Sequence, residues 1–134
     1  MATEQASIEL IQQLYAAFGR GDVPYTLAAC SDDIVWTQVG PDGFAYAGTF
    51  KGKAEVGQWF GHVAALDNIK EFEPREFFGG SDHCTVIGWE RSADGKTGKE
   101  FSTDWVHHFQ MKQGKVTRWI GAYDSDARAR AARA

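Results

Sequence analysis

The sequence predicts one α+β domain, with helices on one face of a curved, mostly antiparallel sheet and an apolar pocket between them. Three observations predict it. Helical periodicity is confined to the first half of the chain, segments of β character joined by short glycine-bearing turns fill the second, and 134 residues leave room for a single core. An apolar content of 43% supports that core, and a charged fraction of 24% suits an ordinary soluble surface.

Residues 4–18 read as an amphipathic helix. Ile8, Ile11, Leu14 or Tyr15, and Phe18 recur at three- to four-residue intervals, with Thr3 as N-cap and Gly19 as stop. Asp22 caps a short second helix that carries Pro24 in its first turn and runs to about Cys30. The period then changes. Residues 34–39 are β-branched and aromatic, Gly40-Pro41-Asp42-Gly43 is a turn, and residues 44–47 read as a short returning strand. Val56, Trp59 or Phe60, and Val63 place a third helix over 53–66, weakened by Gly57 and Gly61. Four strands follow, at 69–78, 83–92, 99–112 and 115–124, and their short connections make consecutive pairs antiparallel hairpins. Pro74 suits an edge or a bulge of the first of these. Residues 125–134 read as a tail, helical or disordered, whose Arg128, Arg130 and Arg133 are taken as solvated rather than phosphate-binding.

A formal charge of −4 argues against nucleic acid as a partner, and no apolar run approaches the ~20 residues of a membrane span. Met1 to Gln5 show no basic stretch leading into an apolar one, so a cytoplasmic location is expected. Cys30 and Cys84 form no C-x-x-C pair and read as reduced, buried fillers. His62, His83, His107 and His108 show no metal-ligand spacing, no phosphate loop is present, and no cofactor is called for.

Strand parity supplies the first candidate. Thr103, Trp105, His107, Phe109 and Met111 share one face, which is the more apolar and faces the helices. His107 is the polar exception there, either a satisfied core histidine or a site residue.

Several pieces carry a resemblance: Asp32-Asp33-Ile34-Val35-Trp36, residues Tyr46 to Lys53, Thr97-Gly98-Lys99, Gly114-Lys115-Val116 and Tyr123-Asp124. In that order they resemble the SnoaL-like branch of the nuclear transport factor 2-like superfamily, which includes the ketosteroid isomerases. The resemblance implies a cone-shaped α+β barrel, open at one end, and a homodimer through the outer face of the sheet. It implies no single reaction, since such proteins isomerise steroids, cyclise polyketides, open epoxides or only bind a ligand or partner.

By that resemblance His107 falls where SnoaL-type aldol cyclases carry a catalytic-site histidine, and Asp124 where they carry an acid/base aspartate. Asp124 also reads as the N-cap of a terminal helix. Gln38 stands where the steroid isomerases place their general-base aspartate, and an amide moves no proton at neutral pH. Leu14 stands at the position of their oxyanion-hole tyrosine, with Tyr15 adjacent. The charged pair that epoxide opening would need has only Glu90-Arg91 near it, adjacent residues that face opposite sides.

The expected site is therefore His107 and Asp124 as catalytic residues, with Tyr15, Trp36, Gln38, Trp59 and Trp105 against the substrate. Trp89 and Trp119 are assigned to the outer face and a dimer contact. The expected function is a cofactor-free cyclase, isomerase or aldol-type enzyme, in which His107 polarises a carbonyl of a small hydrophobic molecule and Asp124 moves a proton. The alternatives are a non-catalytic binder of small hydrophobic ligands and a protein-interaction module.

Overall fold

A computed structural model describes residues 3–134; Met1 and Ala2, part of the stretch read as lacking a secretion signal, lie outside the described residues. The elements run α1 (Glu4–Gly19), α2 (Val23–Ala29), β1 (Cys30–Gln38), β2 (Gly48–Lys51), α3 (Gly52–Leu66), β3 (Asp67–Gly79), β4 (His83–Asp94), β5 (Glu100–Lys112), β6 (Lys115–Tyr123) and α4 (Ser125–Ala131). The six strands form one sheet in the order β2-β1-β6-β5-β4-β3, antiparallel throughout except where β1 runs parallel to β6. The α+β class and the curved sheet are those expected; the sheet is not closed into a full barrel, since β2 and β3 stay at its edges.

Local chemistry accounts for most boundaries. The Thr3 hydroxyl accepts from the Ala6 N–H and the Asp22 carboxylate from the Tyr25 N–H, so each opens its helix by satisfying a free amide. Helix α3 has no such cap; instead Glu55 reaches back to accept from the Lys51 N–H at 2.8 Å. Pro74 sits on edge strand β3, where the register slips between Pro74 and Glu76, because proline cannot donate to a ladder. The returning strand expected at 44–47 lies one step later, at Gly48–Lys51. Residues 44–47 form a turn in which the Ala47 N–H donates to the Phe44 carbonyl.

Alternation is strict on β4 from Cys84 to Ser92, where Cys84, Val86, Gly88, Glu90 and Ser92 are buried and the residues between them are partly open. The inner rows of β4, β5 and β6 meet α1 and α3 in a core built largely of aromatic rings. Trp119 belongs to that core, correcting its assignment to the outer face: it is 1% exposed and stacks on Trp36 at 4.4 Å between ring centroids. Trp89 does lie on the other face, under the Arg75 guanidinium, and Val106 there is 44% exposed. No helix among the described residues is long and apolar enough to cross a membrane.

Two glycines set the shape of the inner face. A Cβ on Gly88 would stand 2.2 Å from the Trp105 ring, and one on Gly121 would stand 2.4 Å from the Trp119 ring. Each indole lies flat across a strand where a side chain is missing. Gly88→Ala is therefore expected to push Trp105 off its seat, at a cost of about 1–3 kcal/mol. Thermal unfolding with near-UV circular dichroism would check this; an unchanged midpoint and aromatic spectrum would contradict it.

Candidate functional site

Between the helices and the inner face of the sheet lies a cavity of about 90 Å³. One water needs about 10–15 Å³ on that scale, so the space suits a small ring system. Its wall is mostly aromatic. Tyr15, Trp36, Gln38, Trp59, Trp105 and His107, all expected at the site, line it together.

The first polar station is a pair. Tyr15, from α1, and His107, from β5, are joined through the Tyr15 hydroxyl and His107 Nδ1 at 2.8 Å. The imidazole is stacked on Trp105 at 4.0 Å and set edge-on to Trp119 at 4.9 Å. Burial among these rings pushes its pKa down to about 3, so it is neutral at physiological pH. One hydrogen remains for a ligand in either tautomer. If Tyr15 donates to Nδ1, Nε2–H is free; if Nδ1–H donates to Tyr15, the phenol hydrogen is free. The pair is thus a neutral donor rather than a proton shuttle.

This neutrality has a cost in acid. Between its unfolded value near 6.5 and about 3, His107 is protonated in the unfolded chain but not in the folded one. Its contribution to stability is full above pH 6.5 and is lost as the pH falls. Denaturant unfolding of wild type and His107→Asn from pH 7 to pH 4 is expected to give a shallower acid slope for the variant. Parallel curves would refute the assignment.

Gln38 is buried on the same wall; its amide lies 3.4 Å from the Val39 carbonyl and 3.5 Å from that of Gly121, both long contacts. Trp59 Nε1 donates to the Tyr46 carbonyl at 3.0 Å, which fixes that ring. Trp36 Nε1 and Trp105 Nε1 are buried donors with no partner among the described residues.

Asp124 does not join this group. It is exposed, caps α4 by accepting from the Ala127 N–H at 3.0 Å, and is not among the residues lining the cavity. The pairing of His107 with Asp124 is therefore corrected, and the reading of Asp124 as an N-cap describes what it does.

The acid in the cavity is Glu90 of β4. It is 7% exposed, lines the cavity wall, and its carboxyl takes no hydrogen bond or ion pair among the described residues. Burial, reinforced by the negative charge of Asp67 and opposed by Arg128, pushes its pKa up to about 7. Glu90 and Arg91 do face opposite sides, as expected, but it is the glutamate that faces in. Parity separates the two on β4, and the register with β5 shows which of them faces in.

Around Glu90 lies a hydroxyl and ion-pair network that also escaped the sequence. Arg128 of α4 is 0% exposed, which corrects its reading as part of a solvated tail. Its Nη2 pairs with Asp67 at 2.8 Å and Asp94 at 2.9 Å, and its Nε donates to the Tyr46 hydroxyl and Asp67, each at 3.0 Å. The Tyr46 hydroxyl lies 3.1 Å from Asp67 and 3.0 Å from the Tyr123 hydroxyl. Tyr46, Asp67 and Tyr123 all line the cavity.

Register fixes the spacing of the two stations. Glu90 pairs with Thr103, and His107 lies four residues further along β5, roughly 13 Å at the rise of a strand. Both line the same cavity, from positions that far apart along the sheet. No group of three His, Cys, Asp or Glu among the described residues could hold a metal ion.

Comparison with known proteins bears on the fold and family. No match was found among curated protein sequences. Among solved structures, the chain is similar to an NTF2-like protein of Burkholderia xenovorans, 28% identical over 99% of this chain and 100% of that one, with a TM-score of 0.89. It is also similar to an NTF2-like protein of unknown function from Burkholderia pseudomallei, 28% identical over 96% and 98% of the two chains, with a TM-score of 0.84. TerC, co-crystallised with polyporic acid, is 28% identical over 93% and 96%, with a TM-score of 0.78. The SnoaL-like domain family matches residues 11–119, most of the chain, and the protein belongs to that family.

Proposed function

We propose that the cavity binds a small, largely apolar, conjugated carbonyl compound and moves a proton along it, as a cofactor-independent isomerase or cyclase. The carrying observation is Glu90, a buried and unpartnered carboxyl facing the same cavity as the neutral Tyr15–His107 pair. A pKa near the working pH is what a general acid–base group needs. A neutral donor pair is what a developing enolate oxygen needs. That TerC, a protein of the same fold, was co-crystallised with polyporic acid supports a small organic ligand here.

The spacing of the stations selects the type of step. A carbonyl oxygen and the hydrogen on its own α-carbon are close together for groups carried at backbone positions so far apart. A conjugated frame connects them. Glu90 carboxylate takes a proton from the γ-carbon, the C–H electron pair shifts through the C=C bond, and the carbonyl oxygen gains the charge under the Tyr15–His107 hydrogen. Glu90 then returns the proton to the α- or γ-carbon.

Deuterium uptake from D₂O into the γ-position of small cyclic enones such as 2-cyclohexenone, followed by NMR, tests the reading. Catalysed uptake by wild type is expected, with a fall of about 10²–10³-fold in Tyr15→Phe, His107→Asn double variants. Enone binding without catalysed uptake would overturn the enzyme reading and favour a ligand-binding protein, which the unpaired Trp36 and Trp105 donors would also serve.

A further inference from the structure

We infer that Tyr123 is a specificity-determining residue: its phenol oxygen is held as a pure hydrogen-bond acceptor, so the Glu90 end of the cavity selects a ligand bearing a hydroxyl. This rests on the cavity being the ligand site proposed above, although it does not require turnover.

The inference follows from counting hydrogens. Arg128 has no acceptor, so its Nε–H donates to the Tyr46 oxygen. Tyr46 has one hydrogen and two claimants, the Asp67 carboxylate at 3.1 Å and the Tyr123 hydroxyl at 3.0 Å. The carboxylate is itself held by Arg128 at 2.8 Å, and a charged acceptor wins over a neutral one. Tyr46 therefore donates to Asp67, and its remaining lone pair must accept from Tyr123. The single hydrogen of Tyr123 is thus committed to Tyr46, away from any ligand.

What Tyr123 offers the cavity is lone pairs alone. A ligand carbonyl or halogen placed against it meets another acceptor, whereas a hydroxyl donates to it. Tyr123 also adjoins the Trp105 backbone in the β5–β6 register, one inward position from His107 and its pair at Gly121. The two ends of the pocket are therefore complementary in sense. The Tyr15–His107 end gives a hydrogen, and the Tyr123 end takes one. A flat molecule with a carbonyl at one end and a hydroxyl at the other satisfies both.

Two probes separate this from mere shape. 4-Hydroxyacetophenone and 4-fluoroacetophenone share ring, carbonyl and approximate size, and differ in the donor. Calorimetric titration of wild type is expected to favour the hydroxyl compound by about tenfold, one hydrogen bond's worth of discrimination. Tyr123→Phe is expected to reduce the preference to twofold or less. Tyr46→Phe, which frees the Tyr123 hydrogen to point at the ligand, should do the same. Equal binding of the two probes by wild type, binding of neither, or an unchanged preference in Tyr123→Phe would overturn the inference. Failure of enone exchange with the preference intact would refute the proposed reaction alone. Exchange with a preference indifferent to Tyr123 would refute this inference alone.

Discussion

Glu90→Gln is expected to abolish catalysed enone exchange, by about 10²–10⁴-fold, while leaving the fold intact and more stable at alkaline pH. The two effects have one cause. In the folded protein the Glu90 pKa stands at about 7, against an ordinary value of 4.5. Between those values the folded chain keeps a proton that the unfolded chain has lost. The neutral side chain is therefore well tolerated below pH 4.5, and stability drains away as the pH rises through 7. Some two and a half pH units correspond to about 3 kcal/mol. Glutamine has the same shape and never ionises, so the variant lacks this decline.

Activity in wild type should run the opposite way, because the ionised form is the base: exchange should rise with pH and level off above about 7. Denaturant unfolding from pH 5 to pH 9, beside exchange rates over the same range, checks both. A variant that retains exchange, or whose stability tracks wild type across the range, would remove Glu90 from the site. Lost activity with gained stability could not be attributed to misfolding.

The architecture was legible because it is written in local periodicity. Thr3 and Asp22 announce their helices, the turn glycines separate the strands, Trp105 and His107 fall on the inner face that strand parity gives them, and Trp59 falls on the buried side of its helix. Glu90 was hidden by chemistry on the opposite face. Ile87 and Trp89 are at least as apolar as the inner row of Cys84, Val86 and Gly88, so hydropathy does not say which side of β4 is inside. Gly88 holds the answer for β4, since it marks where the Trp105 indole of the neighbouring strand lies down, but that requires the register. Trp119 was misplaced for the same reason. Asp124 shows the converse. Its local signal, a cap before a short helix, was correct, and position in a family pattern outweighed it.

The Arg128 network could not be found from local signals at all, since Asp67 and Asp94 lie far away in sequence. Its energetic weight is nonetheless large. Arg128→Met keeps an apolar stem and removes the guanidinium, which stands over the Phe44 and Phe101 rings as well as pairing with the carboxylates. Two buried carboxylates, Asp67 and Asp94, then lose the guanidinium to which both are paired at 2.8 and 2.9 Å. Breaking one side of such an ion pair typically costs about 3–5 kcal/mol, far more than an exposed pair such as that between Arg20 and Asp22. In a domain of this size that lowers the melting midpoint by roughly 10–20 °C. The deficit should shrink in acid, where the orphaned carboxylates can be neutralised by protonation, and adding Asp67→Asn should restore part of it. Arg128 also opposes the upward shift of Glu90, so the exchange profile of any surviving variant should move to higher pH. A midpoint within two or three degrees of wild type, by calorimetry at pH 7, would show that α4 is not anchored through this charge.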